Sequence, residues 1–220
     1  MVSRRRFLAW LAALVAGGRL GVAGAATRSL EVICRQAWGA RRPEGEFDRH
    51  RIRRLTVHHS AVVLRDNRVA PERLRDHQAA HQARGWPDIA YHLLIDRHGN
   101  VYEGRPRWAV GDTATNYDPR GHLTVMCEGH FGRQRPSDRQ VRALVDVLAW
   151  AVERYDVPIR RIRGHLDYAD TACPGVRLYR RLGAVRRAVR SRVASGGVRL
   201  VELCGEEGAA RVAEIEAGTA

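Results

Sequence analysis

Short runs rich in β-branched residues alternate along this chain with stretches whose apolar residues recur every three or four positions, and that alternation restricts the fold more than any other feature. Residues 55–61, 89–96, 101–103, 122–127 and 161–164 read as strands. Between them, Pro71 opens a helical stretch that Gly85 closes. Ser137 caps a longer helix running to Tyr155, with Val141, Leu144, Val145, Leu148 and Val152 on one face. Another helix is expected over 178–193, where Leu178, Leu182, Val185, Val189 and Val193 form a stripe opposite a solvated face of arginines. Arg97-His98-Gly99-Asn100 is a turn sequence, so the flanking strands form a hairpin. Strands interleaved with helices, one pair of them antiparallel, predict a single α/β domain with a central mixed β-sheet flanked by helices. Residues 27–50 read as irregular, and the Gly- and Glu-rich tail over 196–220 as loosely ordered and of no evident role.

Composition narrows the chemistry. At 220 residues and 45% hydrophobic, the chain has enough apolar surface for one packed core, which excludes a disordered or collagenous class. All 38 of its basic residues are arginine, so Schiff-base lysines and a Walker-type phosphate loop are impossible. The first 25 residues have the three parts of an export signal: Arg4-Arg5-Arg6, an apolar run from Phe7 to Val15, and Ala23-Gly24-Ala25. Paired arginines before Phe7-Leu8 match the twin-arginine variety. Nine apolar residues cannot cross a hydrocarbon core of about 30 Å, so an exported protein, periplasmic or extracellular and without an integral membrane segment, is expected. Without that leader, which carries four arginines and no acid, the formal charge falls from +14 to +10. Such a balance favours polyanions, including anionic polymers of a cell envelope. No nucleic-acid-binding motif accompanies it, and nucleic acid is not expected as a partner.

Ten histidines compete for the remaining chemistry. His77 and His81 have the four-residue spacing of a zinc-peptidase helix, but Gln78 stands where that motif needs a glutamate base. The loop Gly164-His165-Leu166-Asp167-Tyr168-Ala169-Asp170-Thr171-Ala172-Cys173-Pro174-Gly175 is more informative. His165 and Cys173 can meet at a metal if a neighbouring strand adds a third ligand, and His58 is available. Two neutral imidazoles and a thiolate suit zinc, and three protein ligands leave the fourth position open, as in catalytic sites. The plainer alternative makes Cys173 a small buried residue and His165 a loop imidazole. Cys34, Cys127 and Cys204 remain, and in an oxidising compartment any two of them can pair.

Five segments, in order, resemble the zinc amidases of the peptidoglycan recognition protein and phage lysozyme-amidase family, the N-acetylmuramoyl-L-alanine amidases. They are Cys34-Arg35-Gln36-Ala37-Trp38-Gly39-Ala40, Val57-His58-His59-Ser60, Gly85-Trp86-Pro87-Asp88-Ile89-Ala90-Tyr91-His92-Leu93-Leu94-Ile95, Gly99-Asn100-Val101-Tyr102-Glu103-Gly104-Arg105, and the loop from Gly164 to Gly175. The resemblance implies an amidase domain over 26–195 with one zinc ion, held by His58, His165 and Cys173 in a groove at the sheet edge. It also implies that the Tyr91 and Thr171 hydroxyls assist at the reacting amide. Some members carry a glutamate base where this chain has Met126; Glu128, two residues on and on the same strand face, is the candidate here, with a strand-end salt bridge as its alternative. Trp86, Arg105, Trp108 and Asn116 lie in segments that line the family's substrate groove, where ordinary packing is the competing role. The implied activity is hydrolysis of the bond between N-acetylmuramic acid and L-alanine in peptidoglycan or a muropeptide, with non-catalytic peptidoglycan binding as the alternative.

Overall fold

Seven strands form one mixed sheet in the computed structural model, which describes residues 27–219. They are β1 (Arg28–Ile33), β2 (Arg54–His59), β3 (Leu93–Ile95), β4 (Val101–Glu103), β5 (His122–Cys127), β6 (Ile162–Gly164) and β7 (Val198–Leu203), in the spatial order β6-β2-β5-β3-β4-β1-β7. β6, β2, β5 and β3 run parallel to one another, and β4, β1 and β7 run the opposite way; the β3–β4 hairpin joins the two halves. Asp96 builds its turn, accepting from the His98 and Asn100 amides and from the Tyr102 hydroxyl at 2.8 Å.

Alternation along the strands sends Leu55, Val57, Leu93, Ile95, Leu123 and Val125 into one apolar cluster and Ile33, Leu94, Tyr102 and Met126 into another. Helices α2 (Asp138–Tyr155) and α4 (Leu182–Ala194) cover the first, with Leu144, Leu148, Val185 and Val189 buried. Helices α1 (Ala70–Gln82) and α5 (Gly205–Ala217) cover the second through Leu74, Val212 and Ile215. The result is the expected mixed sheet between helices. Ser137 caps α2 as expected, its hydroxyl accepting from the Gln140 amide at 3.0 Å.

Several expectations are corrected. Residues 27–50 are not wholly irregular: β1 pairs with β4 and along its whole length with β7, partners far away in sequence. The tail is not loose, since β7 forms a sheet edge, α5 packs on α1, and Cys204 is disulfide-bonded to Cys34. Of the expected strand over 89–96, only Leu93–Ile95 is regular. Asp88 diverts the chain before it, accepting from the Ile89 amide and the Gln78 side chain, both at 2.7 Å. The expected helix over 178–193 is two helices, α3 (Val176–Tyr179) and α4, separated where the Arg181 amide bonds only three residues back, to Leu178. The stripe survives the break, with Leu178, Leu182, Val185 and Val189 all buried. The leader read over 1–25 lies outside the described residues.

Candidate metal centre and groove

A groove of about 350 Å³ opens at the C-terminal ends of β2 and β6, the latter an edge strand. His58 and His59 close β2 and point to opposite faces, in register with Met126 and Cys127. His58 stands beside Tyr91, ring centroids 5.2 Å apart, and beside His165 at 4.5 Å. His165 follows β6 directly, and the loop returns so that Leu166 N–H donates to the Cys173 carbonyl at 2.8 Å. Glycine brackets this loop out of necessity. A Cβ on Gly164 would meet Pro174 and Tyr179 at 2.9 Å, and Gly175 has φ 84° and backs onto the Phe131 backbone.

One ligand atom from each of His58, His165 and Cys173 lies within 4.8 Å of the others. Cys173 Sγ is 3.6 Å from His58 Nδ1, and the bond lengths of a tetrahedral zinc give an N···S edge of about 3.6 Å. The donor set fits zinc electrostatically as well. Burial, aided by the neighbouring His165, holds His58 well below the usual imidazole range, and burial holds His165 at about 4, so both offer lone pairs at neutral pH. Burial pushes the Cys173 thiol up to about 12, so it ionises at neutral pH only with a cation beside it. A second grouping, Cys34 with Glu202 and Cys204, is no metal site, because its two sulfurs form the disulfide. That bond selects one of the three pairings open in the sequence and leaves Cys127 free and buried.

The remaining candidates separate into two sets. Tyr91, Thr171 and Trp86 line the groove. Burial raises the Tyr91 phenol far above its usual value, so it stays a donor. Thr171 Oγ1 accepts from the Cys173 amide at 3.2 Å, which leaves its own proton free. Trp86 continues a wall with His81, centroids 4.9 Å apart. Glu128, Arg105, Trp108 and Asn116 are not on the groove wall. Glu128 is fully buried behind it, its carboxylate accepting from Ser60 Oγ at 3.0 Å and meeting His77 Nε2 at 2.9 Å. Arg105 is 1% exposed, its guanidinium donating to the carbonyls of Asp88, Ile89 and Val110 and to the Asp112 carboxylate. Trp108 is exposed and stacks with Arg49, while Asn116 is exposed one residue beyond the wall. His81, Thr113, Thr115 and His130 line the groove without having been singled out for it. The contact between the 111–117 loop and His165 helps to place the two threonines there, and no spacing in the sequence signals it.

These features together define an α/β protein in which three potential metal donors converge in an open groove. The N-acetylmuramoyl-L-alanine amidase family, Amidase_2, matches residues 48–176, more than half of the chain, and the protein belongs to that family. Peptidoglycan-recognition protein LB of Drosophila melanogaster is 31% identical over 161 residues, covering 71% of this chain and 68% of its own. Peptidoglycan recognition protein LE, solved in complex with tracheal cytotoxin, a monomeric diaminopimelic acid-type peptidoglycan, superposes with a TM-score of 0.63 at 30% identity, covering 70% of this chain and 92% of that one. The amidase LysC from Clostridium intestinale shares the fold, with a TM-score of 0.57 at 22% identity over 72% of this chain and 97% of its own.

Proposed function

We propose that this protein is a zinc-dependent amidase that hydrolyses the bond between N-acetylmuramic acid and L-alanine in peptidoglycan. The observation that carries the reading is the convergence of His58, His165 and Cys173 in an open groove. Zinc bound by these three residues would polarise the amide carbonyl and acidify a water towards neutral pH. The attacking water gives its oxygen to the carbonyl carbon and a proton to the departing alanine nitrogen, and the chain's own hydroxyls stabilise the charge that builds in between. As the carbonyl carbon becomes tetrahedral, charge collects on its oxygen, and Tyr91 O–H and Thr171 O–H are two groove donors with protons to offer it. One such donor is worth about 3 kcal/mol. The Trp86 and His81 wall supplies apolar and aromatic surface against which a sugar or stem peptide can lie. We assign Glu128 to holding Ser60, and through it the end of β2, rather than to proton transfer, because the residue is buried off the groove wall and both carboxylate oxygens are engaged, one by Ser60 and one by His77.

The proposal extends to location and partners: residues 1–25 act as a twin-arginine export signal, peptidoglycan or a muropeptide is the substrate, and the positive charge draws the domain to anionic envelope polymers. Among the described residues no helix is long and apolar enough to cross a membrane. The names of several relatives denote recognition rather than hydrolysis, so one substitution should separate the two activities. Cys173→Ser should abolish release of stem peptide from purified peptidoglycan while retaining sedimentation with it. Undiminished release would refute the metal assignment, and a parent protein that sediments but releases nothing would make this a binding protein.

A further inference from the structure

His165 differs from His58 in what lies behind it. His58 Nε2 is buried and has no hydrogen-bond partner among the described residues. His165 Nε2 lies 2.8 Å from Thr115 Oγ1, which lies 2.7 Å from Thr113 Oγ1, and the Thr115 amide donates to that same Thr113 oxygen at 3.1 Å. We propose that Thr115 is a positioning residue that fixes the tautomer and ring plane of His165, reserving Nδ1 for the metal. The inference rests on the metal reading above.

The direction of every proton in this chain follows from that assignment. With Nδ1 as the ligand atom, Nε2 must carry the hydrogen, so His165 donates to Thr115 Oγ1. Thr115 then directs its own hydroxyl proton to Thr113 Oγ1, which also accepts the Thr115 amide. Thr113 keeps its proton for the groove it lines. The loop that presents both threonines is tethered from behind, because the buried Arg105 guanidinium grips the Val110 carbonyl and the Asp112 carboxylate at its start. Arg105, expected from sequence among the substrate contacts, therefore reaches the metal centre through Asp112, Thr113 and Thr115. The acceptor for a ligating imidazole here is a neutral hydroxyl rather than a carboxylate, which leaves no added negative charge behind the zinc ligand.

The test compares Thr115→Val, which keeps the shape and loses the oxygen, with Thr115→Ser, which keeps the oxygen. In the zinc-free protein, ¹⁵N chemical shifts of His165 should report a single Nε2–H tautomer in the parent and in Thr115→Ser, and a mixture in Thr115→Val. Zinc affinity, measured by competition with a chromophoric chelator, should fall about 10- to 100-fold in Thr115→Val and be restored by serine. Should Thr115→Val fail to fold, Thr113→Val, which removes the oxygen behind Thr115, should shift both readings in the same direction by less. Unchanged tautomer and affinity in a folded valine variant would overturn the proposal. A parent that shows the single tautomer yet binds no zinc would overturn the metal reading and leave the tautomer assignment standing.

Discussion

Tyr91 and Glu128 illustrate how two plausible catalytic groups diverge once burial and partners are known. Tyr91 faces the groove with its proton retained, so Tyr91→Phe should leave zinc content unchanged and lower turnover about 100-fold, as loss of a transition-state donor does. Glu128 is enclosed by Ser60 and His77, so Glu128→Gln should cost about 1–3 kcal/mol of stability by urea denaturation and leave turnover almost unchanged. The opposite pattern, a stable but inactive Glu128→Gln and an active Tyr91→Phe, would exchange their roles. His58, His165 and Cys173 could be grouped from sequence because residue type restricts which side chains bind zinc, two of the three share one short loop, and the family resemblance implies all three together. Arg105 was not, since a guanidinium satisfied by three backbone carbonyls looks in sequence like any surface arginine.

The readable elements were those whose own residues declare them. β4 and α2 fall where their patterns put them because a turn, a cap and a helical period mark them locally, and β5 because its residues form one continuous apolar and β-branched run, although its partners β2 and β3 are distant in sequence. β1 and β7 escaped for the opposite reason. Each needs the other, and 164 residues separate Ile33 from Val198, so the ladder that makes them strands has no local signature. Alternation in Ser29-Leu30-Glu31-Val32 was the available hint. The tail's Gly and Glu content hid an amphipathic helix whose Val212 and Ile215 complete the second apolar cluster. The Cys34–Cys204 bond fastens this pair of elements across 170 residues. Reducing it should lower stability by about 3–5 kcal/mol, seen as a lower urea midpoint in dithiothreitol. A midpoint indifferent to reductant would mean that the β1–β7 ladder and the α5 contacts hold the tail without it.

At the scale of the whole molecule, burial keeps several imidazoles of the core and the groove wall neutral, and that sets the response to acid. Burial holds His81 and His122 at about 4 and His92 at about 3, against 6.5 for an ordinary histidine. Above pH 6.5 these rings are neutral in both states and their contribution is fully present. As pH falls towards 4, the unfolded chain takes up protons that the folded chain refuses, so stability is lost through that window. The urea midpoint should therefore drop between pH 7 and pH 4.5, and a level or rising midpoint would contradict this view of the core. The layered fold was legible because helix and strand periods alternate along the sequence; the groove's far wall was not, because it forms where a loop meets a loop. The most direct measurement of function combines metal content with bond identity on the purified protein. One zinc per chain is expected, with new L-alanine amino termini released from peptidoglycan, lost on chelation and restored by zinc. A protein that binds peptidoglycan but exposes no new L-alanine amino terminus, with or without one zinc per chain, would contradict the proposed activity.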